Sequence, residues 1–190
     1  MKPRVFVDTN ALFPISLCDL FLRMAEVGLH EFLWTDALLT ELAEKLEEKG
    51  VRSRSSIERI CDGIRTTFPE GEVLRSTYAH LISEMPGADP DDHEHSAAAV
   101  AAGATRLITN DTKGFPAAAL GRRGVVVKRP DAYMQETLDA YPGELLDVVR
   151  QMAADKTRPP MTTDEVLNAL RRAGARRFVQ AARVLLSEQT

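Results

Sequence analysis

Four acidic residues stand where a carboxylate can do chemistry: Asp8, Glu41, Asp92 and Asp111. Asp8 follows the apolar, β-prone run Arg4-Val5-Phe6-Val7, and Asp111 follows Arg106-Leu107-Ile108-Thr109. In a parallel sheet, ligands bind at the carboxyl ends of strands. Asp92 falls in the first turn of an expected helix, at the positive end of its dipole. Glu41 lies at the border of the stripe Leu38, Leu39, Leu42, Ala43 and Leu46, whereas Glu44 lies nearly opposite it. Each acid alone also has a structural reading, since first-turn acids cap helices and Asn-Asp pairs make turns. Gathered in one cleft, the four would repel unless they held a cation or took up protons. Carboxylate oxygens are hard donors, suited to Mg²⁺ or Mn²⁺ rather than zinc. Such ions activate water and stabilise charge on a phosphoryl group.

The elements that must position these acids alternate between strand and helix, which predicts a parallel α/β sheet. Strands are expected at 4–7, 32–34, 106–109 and 125–127. Helices are expected at 14–28, 37–49, 53–68, 73–85, 130–140 and 142–156, with a short helical segment starting at Phe115-Pro116. Between them, Asp89-Pro90-Asp91-Asp92-His93-Glu94-His95-Ser96 opens an alanine-rich helix that Gly103 ends. Asp89 is the expected cap and Pro90 the first helical residue. Thr157-Arg158-Pro159-Pro160 reads as a linker, and Thr162-x-x-Glu165 as a capping box. Two short helices follow, split at Gly174. The predicted division is therefore 1–156 for the α/β domain and 157–190 for a linker and helical extension.

Composition narrows the class. The chain has 190 residues, a 44% apolar fraction, a 27% charged fraction and a net charge of −4, as expected of a soluble globular protein. No signal pattern or membrane-length apolar run is present, so a cytoplasmic protein without a membrane partner is predicted. Cys18 and Cys61 lack CxxC spacing, which signals neither zinc nor a disulfide framework. The charge is unevenly spread. Residues 156–190 hold seven Lys/Arg against three Asp/Glu, and the remainder 17 against 25. Arg171, Arg172, Arg176 and Arg177 cluster at the Gly174 turn, either as a solvated helix corner or as a contact for an anionic partner. The apolar face Phe178, Val179, Ala182, Leu185 and Leu186 is expected to dock on the α/β body or on a second subunit.

Val5-Phe6-Val7-Asp8-Thr9-Asn10 resembles the opening of PIN-domain nucleases. Glu41 in Thr40-Glu41-Leu42 is similar to their second acidic motif. Asp89-Pro90-Asp91-Asp92 through Gly103-Ala104, then Leu107-Ile108-Thr109-Asn110-Asp111, is similar to the third and fourth. The resemblance covers about residues 4–135 and is closest to VapC-type toxins of bacterial toxin–antitoxin pairs. It implies a PIN-like three-layer fold, with a short central parallel sheet flanked by helices and a small helical C-terminal extension. The implied activity is a Mg²⁺- or Mn²⁺-dependent endoribonuclease that leaves 5′-phosphate and 3′-hydroxyl ends. Asp8, Glu41, Asp92 and Asp111 would hold the metal, and Asn10 and Thr109 would orient them. Asp91 is a further candidate ligand, with dipole capping the preferred reading.

The implied partners are an RNA substrate and a cognate antitoxin, and a homodimer is compatible with the resemblance. His95 lies about 300° around the helix from Asp92, on a neighbouring face where it could contact a phosphate or stay structural. The His93-x-His95 spacing would suit zinc on a strand, but here it opens a helix. The rival reading is a catalytically silent PIN-like module acting through a protein or RNA partner. A dehalogenase-type site needs a second Asp where Asn10 stands, and an HD-type site needs His before Asp, the reverse of Asp92-His93.

Overall fold

The computed structural model describes residues 2–50, 52–87 and 89–188, with the side chain of Asp91 outside the described set. It divides into two compact units, 1–13 with 30–128 and 14–29 with 129–190. Among the described residues no helix is long and apolar enough to cross a membrane.

The first unit is a PIN-like α/β unit built on four parallel strands: β1 (Arg4–Val7), β2 (Glu31–Leu33), β3 (Arg106–Ile108) and β4 (Val126–Lys128). Their order is β2-β1-β3-β4. The register pairs Phe6 with Leu33 on one side of β1, and Val7 with Ile108 on the other. Parallel neighbours need crossover connections, which is why helices alternate with the strands. Successive strands lie to one side of β1 and then to the other, so the order switches between β1 and β3. In open α/β sheets that switch point, at the carboxyl ends of the strands, forms the ligand crevice. Asp8 N donates to Ile108 O at 2.9 Å and Thr109 N donates to Lys128 O at 3.0 Å, so the ladder runs to the brink of this crevice.

The flanking helices of this unit are α1 (Thr9–Leu12), α3 (Asp36–Glu48), α4 (Arg54–Thr67), α5 (Arg75–Tyr78), α6 (Asp91–Ala101) and α7 (Ala117–Gly121). Val5, Phe6, Val7, Leu107 and Ile108 are wholly buried, as expected of strands covered on both faces. Ala97, Ala98 and Ala99 are wholly buried too, and their small side chains let the α6 backbone lie close to its neighbours. Thr35 caps α3 by accepting from Leu38 N at 3.0 Å. Beyond β2, Trp34 pairs with Glu72, and a Cβ on Gly71 would meet Phe32 O at 1.9 Å. Only glycine permits that approach.

Two local expectations differ. Pro90, not Asp89, is the N-cap of α6, and it makes no side-chain capping bond. Asp89 instead accepts from Asp92 N through its backbone carbonyl at 3.3 Å. The helix expected over 73–85 splits into α5 and a 3₁₀ segment, Ala79–Glu84. Tyr78 leaves the helical region there, at φ −125° and ψ −10°. Its ring is buried and its hydroxyl donates to Glu94 Oε1 at 3.0 Å, a tertiary tie that outweighs helix propensity.

The second unit is helical: α2 (Ile15–Glu26), α8 (Pro130–Ala140), α9 (Pro142–Ala154), α10 (Thr163–Arg172) and α11 (Arg176–Ser187). The contacts thus break the chain elsewhere than at 156/157. The amphipathic α2 buries Leu17, Leu20, Phe21 and Met24, and Phe21 stacks on Tyr133 with ring centroids 6.2 Å apart. Asp19 receives Arg23 at 2.7 Å and Lys156 at 2.8 Å, and Arg23 also reaches Asp155 at 2.7 Å. The Thr162–Glu165 capping box opens α10 as expected. Phe178, Val179 and Ala182 are wholly buried, with Leu185 and Leu186 half-buried. This face packs on α8 and α9, which lie within residues 1–156, so it docks on the body as the first of the two expectations had it.

Candidate metal centre at the switch point

Asp8 follows β1 immediately and opens α1, its side chain accepting from Thr9 N at 2.8 Å. It is buried, yet four donors surround it. Thr109 Oγ1 donates to Oδ2 at 2.9 Å, Asn10 Nδ2 donates to the same oxygen, and His95 Nδ1 lies 3.1 Å from Oδ1. Asn10 Oδ1 accepts from Asn110 N at 2.8 Å, tying the end of β1 to the end of β3. Asn10 and Thr109 therefore both touch Asp8, and Thr109 Oγ1 accepts from Asp111 N at 2.9 Å.

Asp111 sits in the turn after β3 and accepts from Lys113 N at 2.8 Å and Gly114 N at 3.1 Å through Oδ1. Those two N–H groups hold its pKa below the usual carboxylate value. A Cβ on Gly114 would fall 1.7 Å from Asp92 Oδ2 and 3.0 Å from Asp111 Oδ2. Two carboxylates from separate elements thus converge over one glycine, no farther apart than those distances added.

Asp92, in the first turn of α6, is the least compensated of the four. Its carboxylate has no hydrogen-bond or ion-pair partner among the described residues. Partial burial, then the negative charges of Asp8, Asp111 and Asp89, lift its pKa to about 6, with His95 opposing. A carboxyl raised by both desolvation and like charge is a group that a cation would relieve.

Glu41 is placed differently from the expectation of a shared four-acid set. Its Oε2 accepts from Thr9 Oγ1 at 2.7 Å and lies 3.3 Å from His95 Nε2, while Oε1 pairs with Lys45 one turn along α3. Both oxygens are engaged. Glu44 is exposed, as the helical wheel implied. His95 is the residue the sequence reading placed least well. Three positions after Asp92 it shares that face of α6, and its ring inserts between Asp8 and Glu41, 5.8 Å from the Phe6 ring. Burial works against its charged form, but the hydrogen bond to Asp8 and the charges of Asp8, Glu41 and Asp92 hold its pKa above the usual value. His93 turns away, with Nε2 3.3 Å from Gly87 O. Thr9, Lys45 and Gly114 were not anticipated; a threonine next to Asp8 and a lysine one helical turn after Glu41 were the available signals. Asp91's candidacy lies outside the described side chains.

Among the described residues, no three His, Cys, Asp or Glu side chains already surround one ion-sized point. The donor chemistry nonetheless fits a hard divalent ion at Asp92 and Asp111 beside Asp8. Mg²⁺ keeps several waters and is commonly held by one or two carboxylates, so a closed protein cage is not required.

Residues 4–113 match the PIN domain, more than half of the chain. The chain belongs to the PIN-domain family. Residues 130–184 match the VapC50 C-terminal domain, so the PIN domain is followed by an extension of the kind found in a VapC-type protein. That second match begins with α8 and includes α9, well before the 156/157 break expected from the proline-rich linker. Neither the curated proteins nor the solved structures yielded a match.

Proposed function

We propose that this PIN-domain protein is a Mg²⁺- or Mn²⁺-dependent endoribonuclease, acting as the toxin of a type II toxin–antitoxin pair. The observation that supports nuclease chemistry best is Asp92. It is a half-buried, unpartnered carboxylate pressed by Asp8 and Asp111 at the β1/β3 switch point. Asp8, Asp92 and Asp111 would hold the ion. When bound, it would supply activated water and positive charge for a phosphodiester in transition.

The remaining work falls to the chain's own groups. Thr109, Asn10, His95 and the Thr9 N–H fix Asp8 in one orientation. Lys113 N and Gly114 N keep Asp111 ionised, and the bare Gly114 backbone leaves room for the two converging carboxylates. Glu41 acts on Asp8 through the shared imidazole of His95 rather than as a fourth free ligand. That engagement of Glu41 is also the one observation favouring the rival, a silent PIN-like module.

Incubation with RNA and Mn²⁺, with and without chelator, separates the two. The nuclease reading expects 5′-phosphate and 3′-hydroxyl ends that vanish with chelator, and at least a hundredfold loss in Asp92→Asn, the order of removing one transition-state stabiliser. Glu44→Gln is the exposed control and should cleave as wild type. Wild type should also gain about 2.7 kcal/mol of stability at a metal concentration 100 times Kd, and Asp92→Asn should lose most of it. Cleavage indifferent to both chelator and Asp92→Asn overturns the assignment.

The toxin role rests on the match to the VapC50 C-terminal domain and on the acidic character of residues 1–155. A basic antitoxin segment would complement those charges. Expression alone should arrest growth, and the small protein encoded alongside should relieve it and co-purify. A harmless chain with no co-purifying partner sinks the toxin role while leaving the nuclease test untouched.

A further inference from the structure

The second unit carries a charge arrangement that its own fold does not use. Arg171 and Arg172 end α10, and Arg176 and Arg177 open α11, across the turn Ala173-Gly174-Ala175. All four are exposed, and none has an ion-pair partner among the described residues. Three other arginines of this unit are paired: Arg23 with Asp19 and Asp155, Arg150 with Asp147, and Arg183 with Asp164 at 2.7 Å. Arg171 and Arg172 suit the negative end of α10. Arg176 and Arg177 sit at the positive end of α11, where the helix dipole disfavours a cation. The carboxylate that reaches this turn, Asp131 of α8, spends its oxygens on backbone, accepting from Arg177 N at 3.2 Å and Phe178 N at 3.0 Å. It caps α11 and leaves the guanidiniums unmatched.

The turn is also firmly seated. Leu170, Ala175, Phe178 and Val179 beneath it are wholly buried, and Gly174 takes φ +106°, a conformation that suits glycine alone. Four guanidiniums are thereby presented from a fixed platform at a local cost to α11. No large apolar side chain is exposed within 170–180. Arginine also anchors protein interfaces, but beside tryptophan and tyrosine in desolvated pockets, which this surface lacks. Dense arginine without an apolar anchor fits a phosphate backbone, whose oxygens the guanidinium fork engages in pairs. We infer that the α10–α11 turn is an RNA-backbone-binding surface, separate in its chemistry from the acid cluster.

The test is binding of the full chain to a labelled single-stranded RNA of about 20 nucleotides, by fluorescence anisotropy in chelator across a salt series. No cleavage occurs under these conditions, so the result stands whether or not the acids catalyse. Replacing Arg171, Arg172, Arg176 and Arg177 together by Ala should weaken binding at least tenfold. It should also reduce the slope of log K against log salt by about 3, since each phosphate contact on a single strand contributes about 0.7. Arg176→Ala with Arg177→Ala should remove about half of that slope, and the fourfold Lys variant should retain most of it. Unchanged affinity and slope in the fourfold Ala variant overturn the inference. So does displacement of the RNA by polyglutamate at equal charge concentration, which would make the partner an acidic protein.

Discussion

His95 Nδ1 lies 3.1 Å from Asp8 Oδ1, in a position where both groups are buried. The other ring nitrogen lies 3.3 Å from Glu41 Oε2, so one imidazole cross-links an acid at the end of β1 to an acid on α3. Removing it leaves a buried carboxylate short of a donor. His95→Ala should therefore cost about 3 kcal/mol in a urea titration, and His95→Gln, which keeps one donor, about half of that. An unchanged midpoint for His95→Ala would show that Thr109, Asn10 and the Thr9 N–H suffice for Asp8.

Gly114→Ala tests the convergence of Asp92 and Asp111. The added methyl would stand 1.7 Å from Asp92 Oδ2, so that carboxylate must swing away. The expected penalty is about 1–3 kcal/mol of stability from overpacking, with metal-induced stabilisation reduced as strongly as by Asp92→Asn. Melting curves across a Mn²⁺ titration read both. Full metal response in Gly114→Ala would separate Asp92 from the ion.

Asp131→Ala should move two measurements in opposite directions. It strips the carboxylate from two N–H groups at the start of α11, and should destabilise the chain by about 1–2 kcal/mol. It also removes a negative charge beside the four arginines and should tighten RNA binding at low salt. Weaker stability together with weaker RNA binding would mean that the turn's shape matters more than its charge.

Tyr78 gives a pH signature for the α5–α6 contact. Burial, then the hydrogen bond and charge of Glu94, raise its pKa from 10.0 to about 12. The unfolded chain releases this proton near the ordinary value and the folded chain later. Stability contributed by Tyr78 is therefore complete below about 10 and lost as pH rises toward about 12. Ultraviolet titration should show a late tyrosine ionisation that Tyr78→Phe diminishes. Three tyrosines titrating together near 10 would contradict it.

Much of the acid site was legible because strand ends announce themselves. The apolar runs before Asp8 and Asp111 mark buried strands, and parallel pairing then brings their carboxyl ends side by side. Asp92 was legible from its place at the start of α6. The role of His95 was not, because a helical wheel gives the face a residue occupies but not which neighbouring element covers that face. Periodicity separates Glu41 from the exposed Glu44, yet it does not show that Thr9 and Lys45 engage Glu41. The contacts divide the chain differently for a related reason. Thr157-Arg158-Pro159-Pro160 has the composition of a linker, whereas nothing in the amphipathic pattern of α2 says that its partners begin at Pro130.

That discontinuity bears on how the protein is made. During synthesis α2 leaves the ribosome roughly a hundred residues ahead of α8, the first of the helices that complete its unit. At 5–20 residues per second its apolar side, with Leu17, Leu20, Phe21 and Met24, waits about 5–20 seconds for them. A ribosome halted inside the PIN domain would release a chain with that side still bare, a substrate for chaperones and proteases rather than a smaller folded protein. The helical unit can close only when α8 to α11 have been made.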